Sequence, residues 1–391
     1  MKRKLRVPRR KWLRLASGIL LILALVGATS SCDDDDAPAD VMIVSAQDLG
    51  VIPTNPDIVG RDGANSALFQ GDSVWLYGDT FLAQANAQNR TLISDSWSFT
   101  ADLSAQNGIG DFEEHLDSAG EPTMILPESP AEQAYNQAHN GNVCQEQPCG
   151  ARWALWPTSM VVDAPSNQAF IFYMLVSARP GDFNFQSVGS SVATWSNFQK
   201  SPQRPDFNPP IVSGHSDLMF SQSEPGFGTA ALISNGLLYA YGCQVPNDGA
   251  DKRCRLGRVE PVNILDRGAW SFYAGDGHWS SQVGDAVSVF EGSSIVSVYW
   301  NRFLQRYVAL YSKLLSDEVA MRTSPNPEGP WSDEIIVFTA MKPVQGTVYD
   351  AHLHPEYDVN GGQTIYVSYS RGTGTFSSEV RLVAIQLASR R

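Results

Sequence analysis

The chain lacks a Gly-x-Ser-x-Gly elbow, an HExxH pair and a Walker-type Gly-Lys-Ser/Thr. These absences remove the usual signatures of serine hydrolases, zinc proteases and P-loop nucleotide enzymes. Long amphipathic helical stretches are missing after residue 40, and no Cys-x-x-Cys occurs. Basic residues are scarce in the body of the chain. All eight of the Lys and Arg in positions 1–31 form one acid-free run, leaving 20 of the 28 basic residues against 41 Asp plus Glu. So acidic a body repels phosphate backbones, so nucleic acid is excluded as a partner. What is present is a core. Hydrophobic residues make up 43% and aromatics 10% of 391 residues, enough for one large or two ordinary packed domains and too many for a disordered chain.

The amino terminus reads as an address. A basic stretch from Lys2 to Arg14 precedes an apolar run from Leu15 to Ala28 and the small residues Thr29, Ser30 and Ser31. That order is a signal peptide over residues 1–31, and the apolar run is short for a spanning helix. Pro8-Arg9-Arg10-Lys11-Trp12-Leu13-Arg14 also resembles the twin-arginine export pattern. Cys32 resembles the lipidated cysteine of bacterial lipoproteins, although Thr29 stands where such signals usually have Leu; a plain secretory signal cut near Cys32 is the alternative. Residues 32–40, with Asp33 to Asp36, read as an acidic tether kept extended by like charges. The four remaining cysteines pair off locally as Cys144 with Cys149 and Cys243 with Cys254. Two disulfides fit an exported protein; a zinc site is the alternative, without histidines at ligand spacing.

After residue 40 a β-rich run, a turn and a second run with aromatic residues recur five times. Aligning these units places Tyr77, Tyr173, Tyr241, Tyr311 and Tyr369 at equivalent positions, each followed by further strand-like sequence. Five such units predict an all-β, five-bladed β-propeller over residues 41–391, with Val41 to Ser45 completing the last blade. A single sandwich would not repeat a hairpin five times. Residues 104–150 read as a loop insertion between the first two blades. The proline-rich stretch 200–212 falls outside the repeat and cannot form a central strand. Both are expected to rim one face, where function concentrates.

Gly60-Arg61-Asp62-Gly63 and Val74-Trp-Leu-Tyr-Gly-Asp-Thr-Phe81 resemble the DUF4185 family of bacterial proteins. Further matches follow in family order at Trp156-Pro-Thr-Ser159, Ser297-Val-Tyr-Trp-Asn301, Ser324 to Trp331, and His354-Pro-Glu356 before Tyr366 to Arg371. The resemblance implies a five-bladed propeller related in architecture to several glycoside hydrolase clans. Some members are endo-acting D-arabinanases; many have no known activity.

Glycoside hydrolysis asks for two carboxylates, one protonated and one ionised. Inner strands of a propeller converge on its axis, so acids at their starts are the candidates. Asp62 lies just before the first inner strand, beside Arg61, whose charge is expected to favour ionised Asp62 and so a base or nucleophile. Asp79 follows the paired strand, and Glu224 precedes the third inner strand as a third carboxylate. Turn or capping roles are the structural alternative for each. Asp350, His352 and His354 alternate, and a period of two directs all three to one face, to contact sugar, tune a carboxylate or hold a metal; hydrogen-bonded core histidines are the structural alternative. Trp156 is the candidate stacking platform, and Arg61 a sugar contact. No cofactor is implied beyond a structural metal ion in the central channel, a site left open. The expectation is a monomeric, exported, membrane-anchored lipoprotein, periplasmic or at the cell surface, that acts on polysaccharide or cell-wall glycan. The leading reading is a glycoside hydrolase of furanose polymers. The alternatives are a non-catalytic propeller that binds glycan or protein, and a structural envelope lipoprotein.

Overall fold

The computed structural model describes residues 40–181, 184–243 and 252–390. The signal segment, Cys32 and all but the last residue of the tether lie outside the described residues. Five antiparallel sheets follow one another along the chain. Their inner strands are Ile58–Phe69, Arg152–Asp163, Phe227–Ser234, Ser297–Asn301 and Gln345–Leu353. Each inner strand touches the next, and the fifth returns to the first, so the ring is closed. The fold is a five-bladed propeller.

Closure follows from pairing at the termini. Blade five takes Thr364–Gly374 and Ser377–Arg390 from the C-terminal end, and its outermost strand is Asp40–Val51 from the other end of the chain. Val41 pairs with Ser389 and Ile43 with Leu387, as the run from Val41 to Ser45 predicts. Five hydrophobic cores fill the gaps between neighbouring blades. The five aligned tyrosines all sit on second strands and are buried. Their hydroxyls are satisfied by partners such as Ser98 for Tyr77, the Asp217 carbonyl for Tyr173 and the Pro327 carbonyl for Tyr241. A repeated tyrosine thus brings apolar bulk to each core and ends in a hydrogen bond.

The stretch 104–150 is more structured than a loop insertion. It contains Glu113–Glu114, the outermost strand of blade one, and the helix Pro130–Ala138. Ser129 caps the helix by accepting from the Glu132 N–H, and Glu132 returns a carboxylate to the Ser129 N–H, a capping box. Glu132 is also the partner of Arg204, which comes from the 200–212 stretch and binds Asp217 as well. That ion-pair group fastens the helix to blade two. Cys144–Cys149 and Cys243–Cys254 are both disulfides, the second closing the hairpin between Leu237–Gly242 and Arg253–Val259. No helix among the described residues is long and apolar enough to cross a membrane.

Candidate active site

The first inner strand is irregular where its chemistry lies. Register shifts fall between Arg61 and Gly63 and again between Gly63 and Asn65, and Gly63 and Ala64 both take left-handed backbone (φ 85° and 71°). Bulges re-aim side chains, and here they separate two neighbours. Arg61 is turned into blade one, where Nη1 donates to both Glu114 carboxylate oxygens at 2.8 Å and the guanidinium lies 3.4 Å from the Tyr77 ring centre. Only 3% of Arg61 is exposed. It is therefore a buried structural cation in this arrangement, with no surface to offer a sugar.

Asp62 faces the other way and meets two further aspartates. Its Oδ2 accepts from the Tyr349 hydroxyl at 3.3 Å. Room for its carboxylate comes from Gly78, where a Cβ would lie 2.6 Å from Asp62 Oδ1. Burial is the largest influence on Asp62 and raises its pKa well above the usual carboxylate range; the charges of Asp350 and Asp79 add to the rise. The Tyr349 hydrogen bond and the more distant Arg152 oppose it without prevailing. The expected ionising effect of Arg61 is absent because Arg61 spends its charge on Glu114. Asp62 thus holds its proton to higher pH than an ordinary aspartate and still keeps some solvent access.

Asp79 has the opposite surroundings. Arg152 Nη2 donates to Oδ2 in a close ion pair, and the Trp156 indole N–H donates to Oδ1 at 2.8 Å. Trp156 therefore orients a carboxylate, with its ring edge-on to Phe185 at 5.1 Å between centres. Asp350 completes the group. Its backbone is left-handed (φ 51°), and its Oδ2 accepts from the Gly63 N–H at 3.1 Å. Burial raises its pKa against that hydrogen bond. Burial and the nearby aspartates also raise the Tyr349 phenol, which stays a donor.

The remaining candidates lie elsewhere. A register shift between Tyr349 and His352 breaks the alternation expected of Asp350, His352 and His354. His352 Nδ1 is 3.2 Å from Ser297 Oγ; His354 is held by Ser66 and Ser368 and stacks on Trp75 at 4.2 Å. Both are buried, and burial lowers both pKa values, His352 to about 4. They are neutral packing residues here. Glu224 accepts from the Ser221 N–H and from Arg267, in a clasp of its own away from the aspartates. Among the described residues no group of three His, Cys, Asp or Glu is placed to hold a metal. A 410 Å³ cavity does occupy the far half of the channel, lined by Ser66, Ser159, Tyr299, Trp300 and Glu356.

Arg152 and Tyr349 are the neighbours of the aspartates that sequence reasoning missed. Both belong to inner strands, but a rule that looked only for acids at strand starts passes over an arginine and a tyrosine.

A family model described as Domain of unknown function (DUF4185) matches residues 36–374. The chain belongs to the DUF4185 family. Among solved structures, a Bacteroides ovatus protein shares 15% identity over 83% of this chain and 85% of its own, with a TM-score of 0.54. An exo-β-1,3-galactanase from Phanerochaete chrysosporium shares 11% identity over 88% of this chain and 63% of its own, at TM-score 0.49. An α-L-arabinofuranosidase catalytic domain from Coprinopsis cinerea shares 12% over 88% and 98%, at 0.46. At these identities the likeness concerns the fold alone. Comparison with curated proteins gives no match. For this DUF4185 member, the aspartate cluster therefore has to speak for itself.

Proposed function

We propose that this protein is a glycoside hydrolase acting on furanose polymers of the cell envelope, in the manner of an endo-D-arabinanase. The observation that carries the reading is a pair of carboxylates in contrasting surroundings at one end of the channel. Asp62 has no cation of its own and a pKa raised by burial; Asp79 is matched by Arg152 and Trp156. One carboxylate left without a cation beside another held by an arginine and an indole suits the division of labour that glycoside cleavage requires. Asp62 passes its proton to the leaving glycosidic oxygen as the C–O bond breaks. Asp79 acts at the anomeric carbon, as base toward water or as nucleophile. Asp350, hydrogen-bonded to Gly63, adds to the rise that burial gives the Asp62 pKa, and Tyr349 orients the acid. The disulfides suit the exported, lipid-anchored location expected from the leader and Cys32, with the protein acting as a monomer.

The test is glycan release from D-arabinan, L-arabinan and a panel of cell-wall polysaccharides by the purified mature protein. Asp62→Asn and Asp79→Asn are run alongside and should each lose about 10²–10⁴-fold in turnover. Retention of a polymer without any release would instead make the protein a glycan-binding propeller.

A further inference from the structure

A second feature adjoins the aspartates. A cleft of 540 Å³ opens between the top of blade one, the segment after the helix Pro130–Ala138 and the hairpin tip of blade five. Its volume falls within the range of small-molecule sites, roughly 300–1,000 Å³. Arg152 lines it and also binds Asp79, so the cleft adjoins the acid cluster. One wall is aromatic: Phe81 and Phe376 pack with ring centres 5.2 Å apart. Asn140 and Asn142 are polar lining residues.

Phe376 has two features that it shares with Leu315 of the blade-four turn. It is 69% exposed, and its backbone is left-handed (φ 55°), a conformation that most other such positions in this chain give to Asn, Asp or Gln. A bulky residue held there is strained, and such strain concentrates at ligand sites. Its position is also defined. Ser378 Oγ donates to the Arg61 carbonyl at 2.9 Å, and Thr373 and Ser377 hydroxyls lie 2.7 Å apart across the turn. Gly60 permits this docking, since a Cβ there would lie 2.6 Å from Ser378 N. The hairpin tip is thus seated on the strand that carries Asp62.

We propose that this cleft is an extended subsite for the polysaccharide on one side of the scissile bond, with Phe376 as the platform for a sugar ring. The inference rests on the hydrolase reading and adds to it where the chain runs. The apolar C–H face of a sugar packs on an aromatic ring, while its hydroxyls need amide and guanidinium partners such as Asn140, Asn142 and Arg152. A polymer seated here passes from the acids over Arg152 to the blade-five tip.

The test compares native protein with Phe376→Gly, using D-arabinan and 4-nitrophenyl α-D-arabinofuranoside as substrates and D-arabinan affinity electrophoresis for binding. Glycine suits a left-handed position, so the variant should melt no lower than the native protein. The expected result is about a 5–10-fold fall in the ratio of polymer to aryl-glycoside kcat/KM, carried by KM, with weaker retention by D-arabinan. An unchanged ratio and unchanged retention, with native activity present, would overturn the subsite and leave the hydrolase standing. Polymer binding that depends on Phe376 without any turnover would keep the subsite and remove the hydrolase. Neither binding nor turnover of D-arabinan would overturn both.

Discussion

The two ends of the propeller channel are built from the same inner strands and treat polar groups in opposite ways. At one end Asp62, Asp79 and Asp350 are crowded together and only Asp79 receives a cation. At the other, Ser66, Ser73, His354, Ser368 and Glu356 form a buried network in which Ser66 bridges His354 and Glu356, and Ser73 donates to Glu356. Polar groups paired with each other hold a structure together; charges kept close and unpaired are destabilising, and persist where chemistry uses them. The proposed site lies at the first end, where the carboxylates are least paired.

The sharpest way to break this contrast is Gly78→Ala. The added methyl group would lie 2.6 Å from Asp62 Oδ1 and displace the acid. Turnover should fall about 10²-fold, as expected of a misplaced catalytic group. Gly284→Ala, whose methyl meets nothing within 4 Å, is the control. Full activity in Gly78→Ala would remove Asp62 from the mechanism.

A smaller effect is expected at the other end. His354→Gln loses the Trp75 stack and disturbs two serine contacts, so urea unfolding at pH 7 should show a loss of about 1–3 kcal/mol. His352 and His354 have pKa values lowered by burial, so the folded protein refuses protons that the unfolded chain accepts. Their contribution is present above pH 6.5 and is lost as the pH falls below it, for His352 toward about 4. The variant should therefore lose stability less steeply over that interval; an unaltered slope would remove His354 from the acid limb.

The smallest effect has the opposite sign. Asp62 has a raised pKa, so the folded protein holds a proton that the unfolded chain has released. Its contribution is present below the ordinary aspartate pKa of 3.8 and is lost as the pH rises through the folded value. Asp62→Asn should then be more stable than native at neutral pH, by about 0.5–2 kcal/mol, with the gain vanishing near pH 4. A less stable variant at pH 7 would mean that Asp62 is part of the scaffold.

Much of the fold was legible because strands and turns are local. Alternating apolar residues and Gly, Asn or Asp turns marked the five hairpins, and the tyrosines at 77, 173, 241, 311 and 369 set their register. The blade-one strand Glu113–Glu114 escaped because two residues show no period. At the site, Asp62, Asp79, Trp156 and Asp350 were readable as residues near inner-strand ends, but their partners were not. The direction of Arg61 was misread because bulges shift side chains between faces, which a regular period of two cannot anticipate. His352 and His354 were displaced from the expected shared face with Asp350 for the same reason.

The amino-acid sequence by itself determined that the body is acidic, all-β and five times repeated, since composition and periodicity act within each short segment. Only the tertiary structure decided which charges meet. Closing the ring brings Tyr349 and Asp350 to Asp62 from the far end of the chain. The burial and like charge that this creates raise the Asp62 pKa, a property that belongs to its neighbours in space and to none in sequence.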